Sequence, residues 1–198
     1  DLDATGATPQ GGIVETRLWT GTTDGTAQLS LVGRSDLPLA AQIDADGATW
    51  LDRLHLARDR APLSGAGFGA EVRQALVRRS DHLVAEGLAR RQGQRVTFAR
   101  DLLATLRNRE LDAIAQDLSA QTGLPHHKPN EGEHVVGTFR HRLDFASGRF
   151  SMIDDGLGFS LVPWTPQLER HLGQTVTGTM TPGGGIDWSL GRKRGLSL

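Results

Sequence analysis

The sequence contains no cysteine and no tyrosine, and lysine occurs only twice. The absence of cysteine excludes disulfides, thiolate nucleophiles and Cys-ligated zinc, so the fold depends on its hydrophobic core. The absence of tyrosine excludes a tyrosine nucleophile. No apolar run approaches the roughly 18 residues that a membrane-spanning helix needs, and no secretory leader is recognisable. We therefore expect a cytoplasmic protein.

The composition is that of an ordinary globular chain. It is 37% hydrophobic and 23% charged. Its length of 198 residues is enough for one sizeable domain or two small ones. The formal net charge is −1, so the overall charge does not indicate a nucleic-acid partner. Residues 1–12 lack apolar periodicity, and we expect the chain to be a part of a longer protein.

The order of turn signals and apolar patterns predicts an α+β chain in three parts. Residues 1–46 read as a small β hairpin, and residues 47–125 as a helical, winged-helix-like unit. Residues 126–132 look like an exposed linker, and residues 133–198 read as a small β unit with a basic tail.

The middle part gives the clearest local signals. Apolar residues recur at helical spacing from Glu71, and Gly87 stands where a helix C-cap is expected, so a helix should end near Glu86. Two short strands around Gly93 then read as a wing, and Asp101 begins a second helix.

The last part shows five short strands with one short helix, Pro166 to Leu172. About 65 residues with this pattern predict a small, partly open β-barrel of the OB-like or SH3-like kind.

Four stretches of the sequence resemble a known family. They are Ala146 to Phe159, Leu161 to Trp164, Asp187 to Leu196 and, further upstream, Ala75 to Phe98. They are similar to the C-terminal region of proteobacterial VirD-type relaxases, the mobilisation nucleases of conjugative plasmids and integrative elements. The resemblance covers roughly Gly47 to Leu198.

The resemblance implies a domain of unknown function that follows the nicking domain in the same polypeptide. Relaxases cut one DNA strand with a tyrosine and hold a metal with a histidine cluster. Because this chain has no tyrosine, none of those catalytic positions can be transferred to it, and we expect no enzymatic activity and no cofactor.

Local charge favours DNA contact. Residues 71–110 hold nine arginines and five acids, a local excess of four positive charges. In a winged-helix arrangement Arg90, Arg91 and Arg95 would lie on or beside the wing, where arginine commonly contacts phosphate. The alternative is a solvated helix face with local Glu/Arg pairs.

The β unit offers a second candidate surface. Arg140 and Arg142 alternate along one strand and are predicted to contact DNA. Four aromatic residues could stack bases if they face outward, although a barrel this small also needs aromatic residues in its core. They are Phe150, Phe159, Trp164 and Trp188.

The tail from Gly191 to Leu198 is basic through Arg192, Lys193 and Arg194. The resemblance implies a type IV secretion export signal, which the coupling protein would read. Phosphate contact and simple solubility are the alternatives.

Three other motifs are weak. Adjacent side chains point apart, which disfavours a metal site at His126 and His127. Gly65 to Ala70 fits the dinucleotide pattern loosely, but no Val/Ile-rich strand precedes it. Asp154 and Asp155 precede a glycine, which is typical of a hairpin turn.

These observations support one main hypothesis and two alternatives. The main hypothesis is a non-catalytic relaxase accessory region that binds single-stranded or duplex DNA near the origin of transfer. The alternatives are a module that docks the relaxase onto the coupling protein, and a purely structural domain that stabilises the nicking domain.

Overall fold

A computed structural model describes residues 14–21, 27–35, 37–58 and 62–190, with residues 14–35 described by their backbone alone. The chain forms two compact units, residues 1–107 and 108–198. Neither unit contains, in its described part, a helix that is both long and apolar enough to cross a membrane.

The first unit begins with an antiparallel hairpin of β1 (Val14–Gly21) and β2 (Ala27–Ser35). The register shifts at a bulge between Leu18 and Trp19. These strands form a hairpin within the predicted residues 1–46, and residues 22–26, which join the strands, lie outside the described residues.

Three helices form the middle of this unit: α1 (Leu39–Ile43), α2 (Trp50–Leu56) and α3 (Gly67–Ala85). A capping box starts α2, because Thr49 and Asp52 each bond the other's backbone N–H. The helices share one core of apolar side chains. It contains Ile43, Trp50, Leu51, Leu54, Val72, Ala75 and Leu76.

A buried arginine joins these helices. Arg79 of α3 is fully buried, and its guanidinium donates to both carboxylate oxygens of Asp52, each at 2.9 Å. It also donates to the carbonyl oxygens of Ile43, Ala45 and Gly47 at 2.6 to 3.1 Å. All five guanidinium N–H groups are therefore satisfied.

The end of α3 follows the predicted capping. Gly87 has φ +72°, and the N–H of Leu88 donates to the carbonyl of Leu83 at 2.8 Å, as in a Schellman motif. The chain then turns through the hairpin of β3 (Ala89–Gln92) and β4 (Arg95–Phe98), which we call the wing. The predicted order of helix, hairpin and helix is confirmed.

The second unit is built on one five-stranded antiparallel sheet. Its strands are β5 (His134–Phe145), β6 (Gly148–Asp154), β7 (Phe159–Pro163), β8 (Thr175–Thr181) and β9 (Gly185–Trp188). They lie in the order β7-β6-β5-β8-β9, and a 3₁₀ helix (Pro166–His171) separates β7 from β8. The edge strands β7 and β9 are not hydrogen-bonded to each other, so the barrel is not closed.

Alternate side chains of the sheet enter two cores. One contains Val135, Phe139, Ile153, Val162 and Leu168, the last from the 3₁₀ helix. The other joins the opposite face of β6 and β7 to a helix.

That helix is α4 (Leu102–Thr122), whose residues from 108 onward belong to the second unit. Ala115 packs with Met152, Phe159 and Leu161 on the sheet. Glu110 accepts the backbone N–H groups of the β5–β6 turn at 2.8 and 2.9 Å. The helix therefore covers the face of β6 and β7.

The two compact units divide between Arg107 and Asn108, inside α4. The predicted segments 1–46, 47–125, 126–132 and 133–198 stay predictions. Residues 126–132, expected as a linker, make backbone bonds to the sheet: the N–H of His127 donates to the carbonyl of Phe159 at 2.8 Å. The mixed helix and sheet class is confirmed.

Candidate nucleic-acid interface

The wing separates its three predicted arginines. Ala89 and Phe98 pair in the register and both face the core, so Arg91, two residues along from Ala89, lies on the inner face. Arg90 and Arg95 lie on the outer face, exposed and without an ion-pair partner among the described residues. The structure therefore places two of the three predicted arginines on the same face of the wing.

Arg91 has a partner on α3. Its guanidinium forms an ion pair with Asp81, and the two side chains are 45% and 54% exposed. Water screens such a pair, which contributes little to stability but does offset the charge of Arg91. Arg91 is therefore less suited to phosphate than its two neighbours.

The exposed face of α3 adds residues that were not selected from the sequence. Arg73, Gln74, Val77 and Arg78 are exposed, and Val77 is 57% exposed although it is apolar. The buried stripe includes Val72, Ala75, Leu76, Arg79 and Leu83. Helical periodicity could have identified the opposite face as the exposed face of α3.

Arg140 and Arg142 do not form a continuous stripe, because β5 has a bulge between Phe139 and His141. Arg140 donates to Asp154 at 2.9 Å. Arg142 lies opposite Ser151 and contacts Asp144 and Glu169 at 3.4 and 3.6 Å. Each of these arginines therefore has its own acidic partner.

Three of the four aromatic candidates are core residues. Phe150, Phe159 and Trp188 are 4%, 1% and 8% exposed. Trp164 is half-buried, and the guanidinium carbons of Arg142 and Arg149 lie 5.5 and 5.6 Å from its ring centre. Only Trp164 of the four keeps an accessible surface beside arginines.

Arg192, Lys193 and Arg194 lie outside the described residues. The export and phosphate-contact predictions for residues 191–198 therefore stay predictions.

His126 and His127 occupy different surroundings. His126 packs on Phe159 at 5.2 Å between ring centres and lines a cavity of about 460 Å³ with Asp112. Burial lowers its pKa below the ordinary 6.5, although the charge of Asp112 opposes this. His127 is exposed and lies 3.8 Å from Asp155.

Neither remaining motif forms a recognisable ligand site. The carboxylate of Asp155 accepts the N–H groups of Leu157 and Gly158, which lower its pKa below the ordinary 3.8, as in a hairpin turn. The glycines from Gly65 lead into α3, and no strand lies in the described residues between α2 and α3. No group of three potential metal ligands occurs in the described part of the chain.

Comparison with known proteins places the chain in a family. A family model described as "Protein of unknown function (DUF3363)" matches residues 21–197. The chain belongs to this family. No curated protein and no solved structure matches it.

The DUF3363 match confirms the predicted domain of unknown function and extends it upstream of Gly47 into the hairpin. The matched range includes parts of both compact units, with the wing and the five-stranded sheet, whereas most of β1 lies before it. The connection to relaxases depends on the sequence resemblance alone.

Proposed function

We propose that this chain is a non-catalytic DNA-binding region of a conjugative relaxase, and that its first unit contacts duplex DNA through the wing and the exposed face of α3. The observation that carries the proposal is the pairing pattern of the wing. Arg90 and Arg95 share its outer face without acidic partners among the described residues, whereas Arg91 is bound to Asp81.

The architecture of the first unit supports this assignment. Two helices followed by a hairpin and a further helix resemble a winged-helix module, in which a helix enters the major groove and the wing contacts the backbone. The exposed face of α3 offers Gln74 and Arg78 for base edges and Val77 for a thymine methyl group.

The proposed relaxase context derives from the resemblance of Ala75 to Phe98 and of residues 146–196, and the proposed cytoplasmic location from the sequence pattern. The second unit is proposed as a partly open barrel of the OB kind, supported by its strand order and by the 3₁₀ helix between its third and fourth strands. Cα atoms of β7 and β9 come within 8 Å of each other, which brings the two open edges together.

The test is a fluorescence-anisotropy titration of the full chain with a labelled duplex at two salt concentrations. We expect salt-dependent binding, and we expect Arg90→Gln with Arg95→Gln to flatten the slope of log K against log salt. The slope should fall by about 0.9 for each phosphate that the variant no longer neutralises. Arg170→Gln, which removes one exposed charge from the 3₁₀ helix, is the control.

Two outcomes would contradict the proposal. Binding that is absent at low salt would favour the docking module that contacts the coupling protein. If Arg170→Gln lowers the salt slope by as much per removed charge as the wing variant does, then general charge, and not the wing, attracts DNA.

A further inference from the structure

One side-chain cluster in the second unit is separate from the wing. Trp164 follows β7, and Arg142 on β5 and Arg149 on β6 hold their guanidinium carbons 5.5 and 5.6 Å from its ring centre. At that distance each cation is attracted to the face of the indole ring. The ring therefore holds two long side chains in defined positions.

Exposed carboxylates complete the cluster. Asp144 contacts Arg142 at 3.4 Å and Arg149 at 3.3 Å, and Glu169 contacts Arg142 at 3.6 Å. Asp144 and Glu169 are 41% and 61% exposed. Since solvent screens such pairs, a phosphate can replace these carboxylates at small cost.

Two buried polar atoms of this region have no hydrogen-bond partner among the described residues. They are the hydroxyl of Ser151, a residue with no exposed surface, and Nε1 of Trp164. Ser151 lies opposite Arg142 and two residues from Arg149 on β6, which places it on the same face of the sheet. Buried polar groups are ordinarily bonded, so these two atoms beside the arginines are consistent with a bound polar ligand or water.

Most other aromatic side chains of the sheet do not offer such a surface. The face of β6 and β7 carrying Met152 and Leu161 is covered by α4, and the other three aromatic candidates are buried. Phe145 is half-buried beside Phe150, with ring centres 6.0 Å apart, and no arginine lies over its ring among the described residues. Trp164 therefore combines accessible aromatic surface with arginines.

We infer that the Arg142–Trp164–Arg149 cluster is a subsite for one nucleotide of single-stranded DNA, with the phosphate on the arginines and the base stacked beside Trp164. Sequence-tolerant stacking combined with cationic contacts is how small barrels hold single strands. The inference depends on the proposed DNA binding only for the choice of nucleic acid, because it uses none of the wing residues.

The test compares labelled oligothymidylate of about 16 nucleotides, the upper site size of one OB fold, with a duplex of equal length. We expect Trp164→Leu to weaken single-strand binding about tenfold, the loss of one stacked base. Arg142→Gln should reduce the single-strand salt slope by about 0.7. Neither change should alter duplex binding.

Glu169→Gln gives a change of opposite sign on an exposed residue that does not endanger folding. Removing the carboxylate that competes for Arg142 should tighten oligothymidylate binding about threefold. The effect is small because the ion pair that is lost is exposed and screened by solvent. Arg170→Gln, on the same 3₁₀ helix and without a ring or ion-pair contact among the described residues, is the matched control.

Unchanged single-strand affinity in Arg142→Gln and Glu169→Gln would overturn the subsite, whatever the duplex result. Equal effects of Glu169→Gln on duplex and single strand would also overturn it, since the site would then not select a splayed nucleotide. Loss of duplex binding in the wing variant alone concerns the proposed function and leaves this subsite intact.

Discussion

The buried ion pair of Arg79 and Asp52 predicts a large stability effect. Both side chains have no exposed surface, and Arg79 makes five hydrogen bonds to one carboxylate and three carbonyls. Arg79→Met would leave the Asp52 carboxylate buried without its counter-charge and three carbonyl groups without that donor. Removing one partner of such a pair costs about 3–5 kcal/mol, which compares with a total stability of about 5–15 kcal/mol for a typical domain.

Related variants separate charge from geometry. Arg79→Lys keeps the charge but has three donors in place of five. We therefore expect it to lower the free energy of unfolding by more than half of the loss expected for Arg79→Met. The double variant with Asp52→Asn should cost less than the sum of the single changes by about 1–3 kcal/mol, because the unpaired carboxylate is then gone. Arg91→Met, which breaks an exposed pair with Asp81, should cost no more than about 1 kcal/mol.

Urea unfolding followed by circular dichroism measures these differences, and amide hydrogen exchange in α2 and α3 assigns them to the first unit. A loss below about 1 kcal/mol for Arg79→Met would refute the reasoning, since the pair would then behave like one at the surface. Strictly additive single and double variants would show that the two residues act independently.

Two further predictions concern the second unit. Because burial lowers the folded-state pKa of His126, the unfolded state binds more protons between that pKa and 6.5. Stability should therefore be full above pH 6.5 and fall as the pH drops below it. Thermal unfolding at pH 7.5 and 5.5 should show a smaller difference for His126→Gln than for the unsubstituted chain. Glu110→Ala should destabilise the second unit by about 2 kcal/mol, because two backbone N–H groups lose a charged acceptor at 2.8 and 2.9 Å. The control is Asp117→Ala, on the exposed side of α4. It should change stability by no more than about 0.5 kcal/mol in the same urea assay. Equal effects of Glu110→Ala and Asp117→Ala would contradict the role of Glu110 as hydrogen-bond acceptor for the β5–β6 turn.

Local signals predicted the elements that depend on local interactions. Gly87 marked the end of α3, and Gly93, with φ +59°, marked the turn of the wing. Both positions need a backbone conformation that glycine adopts at little cost, so the residue type alone was informative. The five-residue helix α1 has no side-chain cap and was not predicted.

Long-range contacts were beyond such signals. Counting charges placed Arg79 in the basic cluster, although 27 positions separate it from the aspartate that neutralises it in the core. The bulge at Phe139 could not be read from the alternation of Arg140 and Arg142, because pairing with β6 determines it. The packing of Ala115 on the sheet likewise depends on residues from several strands.

These pairings decide which arginines remain for the proposed contacts with DNA, and this matters more than their number. Arg79 and Arg91 are paired within the first unit, so its proposed duplex surface depends on residues such as Arg90 and Arg95. In the second unit α4 covers a face of the sheet, and the proposed single-strand subsite depends on Trp164 and its two arginines. The two proposals therefore use different arginines. Competition between duplex and single-stranded DNA for one set of arginines would contradict them.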